Sequence, residues 1–143
     1  MKKILLINGA NLNLVGSRET GVYGNISMGE IIAQTTEKAS ELSLELDYFQ
    51  SNHEGKIIDL IHSAMKSYDG IIINAGAFSH YSYAIRDAIA AIKLPCVEIH
   101  MSNIYNREEF RKDSVISAVC AGQISGFGKN SYFLALYAVK ELI

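Results

Sequence analysis

Two groupings of residues in this chain have the types and spacing for proton chemistry. The first is Glu98-Ile99-His100-Met101-Ser102. In extended backbone, alternate side chains share a face. Glu98, His100 and Ser102 would then point one way, and Val97, Ile99 and Met101 the other. A carboxylate beside an imidazole favours the charged ring and fixes its orientation, which is how a general acid is built. Read alone, the same residues also fit a polar strand end that meets water. The second grouping is Arg18 and Tyr23. They lie in a stretch from Gly9 to Ile26 that has no helical period and carries glycine at 9, 16, 21 and 24. Loops longer than about 12 residues in a compact domain are often covers or binding loops. An arginine and a tyrosine there could close over a bound anion, or could be ordinary exposed side chains.

Absent motifs narrow the chemistry. Neither GxGxxG nor GxxxxGK[ST] follows the first apolar run, so neither standard phosphate cradle is expected. Asn74 stands where a receiver-type phosphoacceptor would need aspartate. No HExxH or tight His/Cys cluster suggests a metal, and no GxSxG elbow occurs. Apart from Lys56 at a helix start, lysine is missing from the candidate site segments, which argues against an imine mechanism.

The formal charge is −2 with no basic block, which argues against nucleic acid or a membrane surface as the main partner. Cys96 and Cys120 sit in apolar runs without a CxxC pair and read as reduced core thiols. The apolar start of the chain is broken at Asn8-Gly9, too early for a secretory signal. No apolar stretch approaches the ~20 residues of a membrane span. The expectation is a soluble, cytoplasmic protein.

Such groups need a scaffold, and the apolar pattern supplies one. Lys3–Ile7, Leu44–Phe49, Gly70–Ile73 and Leu94–Ile99 read as strands, with a weaker fifth at Val119–Ser125. The first four are rich in Ile, Leu and Val without clean alternation, as suits parallel strands covered on both faces. Helices are predicted over Ser27–Leu42, Glu54–Tyr68, Tyr83–Ile92 and Tyr132–Leu142. Ser27 followed by Glu30 has capping-box spacing. Pro95, the only proline, falls at the start of the fourth strand, where a missing N–H is tolerated.

This β-α alternation over 143 residues predicts one α/β domain, a doubly wound five-stranded parallel sheet. The flavodoxin-like order 2-1-3-4-5 is expected, with helices on both faces. Ligands in such sheets bind outside the carboxyl ends of the strands. The polar residues gather there: Asn8 to Glu19, Gln50 to Gly55, Asn74 to His80 and Glu98 to Asn103.

Taken together, these segments resemble the type II 3-dehydroquinate dehydratases. The resemblance is carried by Asn8-Gly9-x-Asn11-Leu12-Asn13-Leu14-x-Gly16-x-Arg18-Glu19 with Tyr23-Gly24, and by Gln50-Ser51-Asn52-His53-Glu54-Gly55. It continues through Ile73-Asn74-x-Gly76-Ala77, Ala84-Ile85-Arg86-Asp87-Ala88, Glu98-x-His100-x-Ser102-Asn103 and Arg107-Glu108-Glu109-Phe110-Arg111. Each block is weak alone, but six in register across nearly the whole chain are specific. The chain departs at Ala10 and Ala75, where the family commonly has proline, and at Phe78, Ser79 and Met101. None of these removes a titratable group that the chemistry needs.

The resemblance implies a lyase of the shikimate pathway, serving aromatic amino acid biosynthesis. It would remove water from 3-dehydroquinate by anti elimination through an enolate, giving 3-dehydroshikimate without any cofactor or metal. It implies Tyr23 as the base and His100 as the proton donor, tuned by Glu98. Free tyrosine, with pKa ~10, is a poor base at neutral pH, so a cation must favour the phenolate. Arg18, with Arg107 in support, would supply it from a lid at about residues 17–25. Asn11 would hold a water or the developing enolate oxygen.

By the same resemblance, the substrate carboxylate falls to the Met101 and Ser102 N–H groups, the Ser102 hydroxyl and the Asn74 amide, and the ring hydroxyls to His80 and Arg111. Asp87 would reach a neighbouring subunit's site, in a homo-oligomer of trimers grouped into dodecamers. Blander readings stay open for single residues: Asn74 as a turn former, Arg86 with Asp87 as a surface ion pair, and Arg107 with Arg111 on a solvated helix face. A non-catalytic small-anion binding module of the same fold is the rival function, and a flavin or nucleotide carrier a second. The first has no need of a paired base and acid, Tyr23 and His100, and the second is suggested by fold alone.

Overall fold

Runs of branched apolar residues need cover on both faces, and this chain provides it by alternating them with amphipathic helices. The computed structural model describes residues 1–16 and 26–143. Its strands are β1 (Lys2–Asn8), β2 (Leu44–Gln50), β3 (Gly70–Asn74), β4 (Cys96–His100) and β5 (Gly122–Ser125). The helices are α1 (Met28–Glu41), α2 (Glu54–Ser67), α3 (Tyr83–Ala91) and α4 (Asn130–Lys140). All five strands are parallel, in the order β2-β1-β3-β4-β5. This is the flavodoxin-like order expected from the alternation.

Alternate residues of the central strands feed opposite cores. Ile4, Leu6, Ile72, Val97 and Ile99 pack with Met28 and Ile31 of α1 and with Tyr132, Leu136 and Val139 of α4. Leu5, Ile7, Ile71, Ile73 and Cys96 pack with Ile57 and Ile61 of α2 and with Ile85 and Ile89 of α3. Each fully buried side chain of this size contributes ~1.5–3 kcal/mol. The period of two therefore decides which face each polar residue at a strand end joins. Asn8 and Asn74 fall on the α1/α4 face, and Glu98 and His100 on the α2/α3 face.

Several boundaries differ from the sequence expectation. β4 begins at Cys96 rather than Leu94, because Pro95 has no N–H for the ladder; its carbonyl still accepts from Ile71 N at 2.9 Å. β5 is shorter than Val119–Ser125, since Val119 N and Cys120 N bond back to Ile116 O and Ser117 O and close a turn. The last helix starts at Asn130, two residues before Tyr132, and ends at Lys140. A short 3-10 turn, Leu12–Leu14, interrupts the stretch expected to be irregular. The cap on α1 is as expected: Ser27 Oγ accepts from Glu30 N at 3.2 Å.

The turns after β1 and β3 touch, and two glycines permit it. A Cβ on Gly9 would lie 2.2 Å from Ala75 O, and Gly76 has φ +63°. Gly9 N donates to Asn74 O at 2.7 Å. Asn11 takes the left-handed conformation with φ 68°, which asparagine tolerates better than most residues.

Candidate active site

At the carboxyl ends of β1, β3 and β4 the chain encloses a cavity of about 130 Å³. It is lined by Ala10, Asn11, Leu12, Asn74, Gly76, Ala77, His80, His100, Met101, Ser102, Ile104, Arg107 and Arg111. Eight of the residues singled out from sequence meet there: Asn11, Asn74, His80, His100, Met101, Ser102, Arg107 and Arg111. Asp87 does not; it is exposed on α3. Arg18 and Tyr23 lie outside the described residues.

His100 is 5% exposed and Glu98 is fully buried. His100 Nε2 lies 2.6 Å from Glu98 Oε2. That nitrogen is committed to the carboxylate, so Nδ1 is the one able to serve a ligand. An isolated buried carboxylate is costly, by several kcal/mol. Here both oxygens are satisfied. Ser114 Oγ donates to Oε2 at 2.7 Å and Ser117 Oγ donates to Oε1. Burial pushes the Glu98 carboxyl up, but the His100 bond and charge, with the two serine bonds, outweigh it and hold it below the usual carboxylate range.

His80 lies parallel to His100, ring centres 5.9 Å apart. Phe110 meets its edge at 5.9 Å. Burial lowers the His80 pKa, with lesser lowering from His100 and Arg111, against an opposing bond to Asp113 O. A neutral ring follows. Its Nδ1 sits 2.8 Å from the Asp113 carbonyl and so must carry the proton, leaving Nε2 as an acceptor. Arg107 Nη1 donates to Ser102 Oγ at 3.2 Å, and Arg111 Nε to Glu108 Oε2 at 3.1 Å. The guanidinium of Arg111 also sits over the Phe110 ring. Arg107, extended just after the 3-10 turn Ile104–Asn106, and Arg111, within the turn Glu109–Lys112, therefore both line the cavity and do not share one solvated helix face. Arg86 bonds the Val115 carbonyl at 2.9 Å, which ties α3 to the segment that carries Ser114 and Ser117.

On the opposite face of the sheet the asparagines form a neutral chain. Gly76 N donates to Asn74 Oδ1 at 3.3 Å, and Asn74 Nδ2 donates to Tyr132 Oη at 2.9 Å. Tyr132 Oη donates to Asn8 Oδ1 at 2.8 Å. Asn8 Nδ2 in turn donates to Tyr48 Oη and Met28 Sδ, each at 3.2 Å. The Gly76 N–H can only donate, so it fixes which end of the Asn74 amide is which. Asn11 is pinned separately, its N–H donating to Asn52 Oδ1 at 2.9 Å. The carbonyls of His100, Met101 and Ser102 accept from Gly126 N, Gly128 N and Ser125 Oγ. That holds the cavity-lining segment against the turn after β5.

Sequence reasoning assigned no role to Asn8, Tyr132, Ser114, Ser117 or Gln123. Tyr132 carried a signal, since a tyrosine on a buried apolar helix needs a partner for its hydroxyl. The serines carried none. Among the described residues no group of three or more His, Cys, Asp or Glu could hold a metal ion. No described helix is long and apolar enough to cross a membrane.

The arrangement can donate a proton from a buried imidazole to a polar, anionic ligand of small size. Comparison with known proteins gives the family. The model of the family described as dehydroquinase class II matches residues 2–140. The chain is 59% identical to a 3-dehydroquinate dehydratase of Caldicellulosiruptor saccharolyticus, over 100% of this chain and 99% of that one. Its fold superposes on the type II dehydroquinase of Butyrivibrio crossotus with TM-score 0.95 at 46% identity, covering 97% of each chain. The type II dehydroquinase of Propionibacterium acnes gives TM-score 0.95 at 40% identity, over 99% of this chain and 97% of that one.

Proposed function

We infer the activity from one premise: this chain belongs to the dehydroquinase class II family. It is a hydro-lyase that removes water from 3-dehydroquinate to give 3-dehydroshikimate, a step of the shikimate pathway. The observation that carries the chemistry is the buried His100–Glu98 pair on a small polar cavity with two arginines.

The residues divide the work as follows. Tyr23, as phenolate, takes a proton from the carbon next to the ketone. The electrons move onto the ketone oxygen, giving an enolate, and Asn11 stabilises it directly or through a water. The enolate collapses and expels the hydroxyl on the opposite face. His100 protonates that hydroxyl from Nδ1, so that water leaves. Tyr23 has then gained one proton and His100 has lost one, and transfer through solvent resets both. Arg18 favours the phenolate, with Arg107 in support. A shift of ~2–3 pKa units asks for ~3–4 kcal/mol, within reach of a guanidinium in a drier site.

The substrate carboxylate is held by Ser102, the Met101 and Ser102 N–H groups and the Asn74 amide. His80 accepts from a ring hydroxyl through Nε2, and Arg111 donates to another. In this reading the chain is one catalytic domain with residues 17–25 as its lid. It works in the cytoplasm as a homo-oligomer, trimers grouped into a dodecamer, with Asp87 serving a neighbour's site. Exposed Tyr81 and Tyr83, close to Asp87 in the chain, suit an interface. Light scattering on the purified protein tests the assembly.

The decisive assay is absorbance from the conjugated enone product when the protein meets 3-dehydroquinate. Binding without turnover would favour the anion-binding module instead.

A further inference from the structure

We propose that Ser114, Ser117 and Gln123 form a donor-only cradle that keeps Glu98 ionised through the whole reaction, so that Glu98 anchors the His100 imidazolium and never relays its proton. The proposal rests on the reading of His100 as general acid. It adds three positioning residues and decides between two roles for Glu98.

The polarity of the hydrogen bonds carries the argument. Ser117 N, a backbone donor, gives its proton to Ser114 Oγ at 3.3 Å. Gln123 Nε2 gives its proton to Ser117 Oγ at 2.7 Å. Each hydroxyl therefore already accepts one bond, and its own proton is directed to the carboxylate. Ser114 Oγ reaches Oε2 and Ser117 Oγ reaches Oε1. With the imidazolium of the proposed acid also donating from Nε2 to Oε2, Glu98 accepts three bonds. A proton on Glu98 would face a hydroxyl hydrogen or an imidazole N–H on either oxygen. A proton from elsewhere must break one of these bonds inside a fully buried site, and a proton passed over from His100 Nε2 must weaken both serine bonds, which favour the anion.

The cradle is built by the fold. Glu98 pairs in register with Gln123 across β4 and β5, while Ser117 N donates back to Ser114 Oγ and Val119 N to Ile116 O in the turn that starts at Ser117. From β3 the facing residue is Ile73, which is apolar. Among the described residues, the other titratable or charged groups near the pair are His80, stacked on His100, Arg111 beside His80, Arg107 on the same cavity, and the Cys96 and Cys120 thiols. None of these donates to Glu98 in the bonds described. The serines and Gln123 hold it without adding a charge.

Carboxyl 13C NMR of glutamate-labelled protein tests this, with Glu98 assigned by its loss in Glu98→Gln. Wild-type Glu98 should keep the shift of a carboxylate throughout the active pH range. In Ser114→Ala/Ser117→Ala its titration should rise by about one unit or more, a tenfold gain in proton affinity. In the same variant kcat should fall about tenfold or more, with KM changed less than about twofold. Threonine at both positions should restore both readouts. Gln123→Met, which removes only the outer donor, should move both the same way by less, and serves if the double variant does not fold. Wild-type Glu98 titrating within the active range, or an unmoved Glu98 in folded variants, would overturn the cradle. A raised Glu98 titration with unchanged kcat would overturn its catalytic consequence. The NMR readout does not depend on turnover; full kcat in His100→Ala would instead remove the reading on which the proposal rests.

Discussion

Two polar networks enter this sheet from opposite faces and meet at one cavity, and they are built on different terms. On the α2/α3 face, Glu98 and His100 form a pair that carries the carboxylate charge, with side-chain partners from the segment before β5. On the α1/α4 face, Asn74, Tyr132, Asn8 and Tyr48 form a neutral chain anchored on a backbone N–H. The neutral chain needs only matched donors and acceptors, and it orients an amide. The charged pair must also offset the loss of water around a carboxylate, so more donors converge on it. In the proposed mechanism, proton transfer falls to the first network and recognition of the substrate carboxylate to the second.

The largest effect is expected at Tyr23, which lies outside the described residues. Tyr23→Phe should abolish turnover, a loss of about 1,000-fold or more, while substrate still binds; near-normal kcat would remove Tyr23 as base. Next, His100→Ala should lower kcat by about 100- to 10,000-fold, measured by product absorbance, with a smaller change in KM. On the neutral face, Tyr132→Phe leaves an Asn74 N–H and the Asn8 carbonyl without their partner. It should cost about 1–3 kcal/mol in denaturant unfolding and raise KM several-fold, with kcat nearly kept. If Tyr132→Phe damaged kcat as deeply as His100→Ala, the division between the faces would fail.

Acid unfolding sharpens the contrast. Glu98 is held below the usual carboxylate range, so its stabilising contribution is present above that range and lost as pH falls through its lowered value. Glu98→Gln should therefore make stability less dependent on pH in the acid range, and Asn74→Ala should not. The smallest effect is expected at Asp47, far from the cavity in sequence and half-exposed, where the bond from Tyr68 Oη at 2.6 Å is the main cause of a lowered pKa. Asp47→Asn should change stability by no more than ~1 kcal/mol and leave kcat unaltered.

Much of this was legible along the chain. The apolar runs, the cap at Ser27 and the alternation of strand and helix specify the layers, because these are local rules with periods of two and 3.6. Placing ligands at strand carboxyl ends then located Asn11, Asn74, His80 and His100. Strand edges were less legible at β4 and β5. There a proline and a closing turn, rather than hydrophobicity, set the limits.

The sequence by itself determined the fold class, the side of the sheet on which chemistry would collect, and the pairing of Glu98 with His100, since residues two apart on a strand must share a face. Only the tertiary structure decided what surrounds that pair. Ser114 and Ser117 reach Glu98 across 16 and 19 positions of chain, Gln123 stands beside Glu98 in strand register and bonds Ser117, and Tyr132 reaches Asn8 across 124. No local period encodes such distances. They follow from how parallel strands register and which helix covers which face, and these are settled only when the whole core closes.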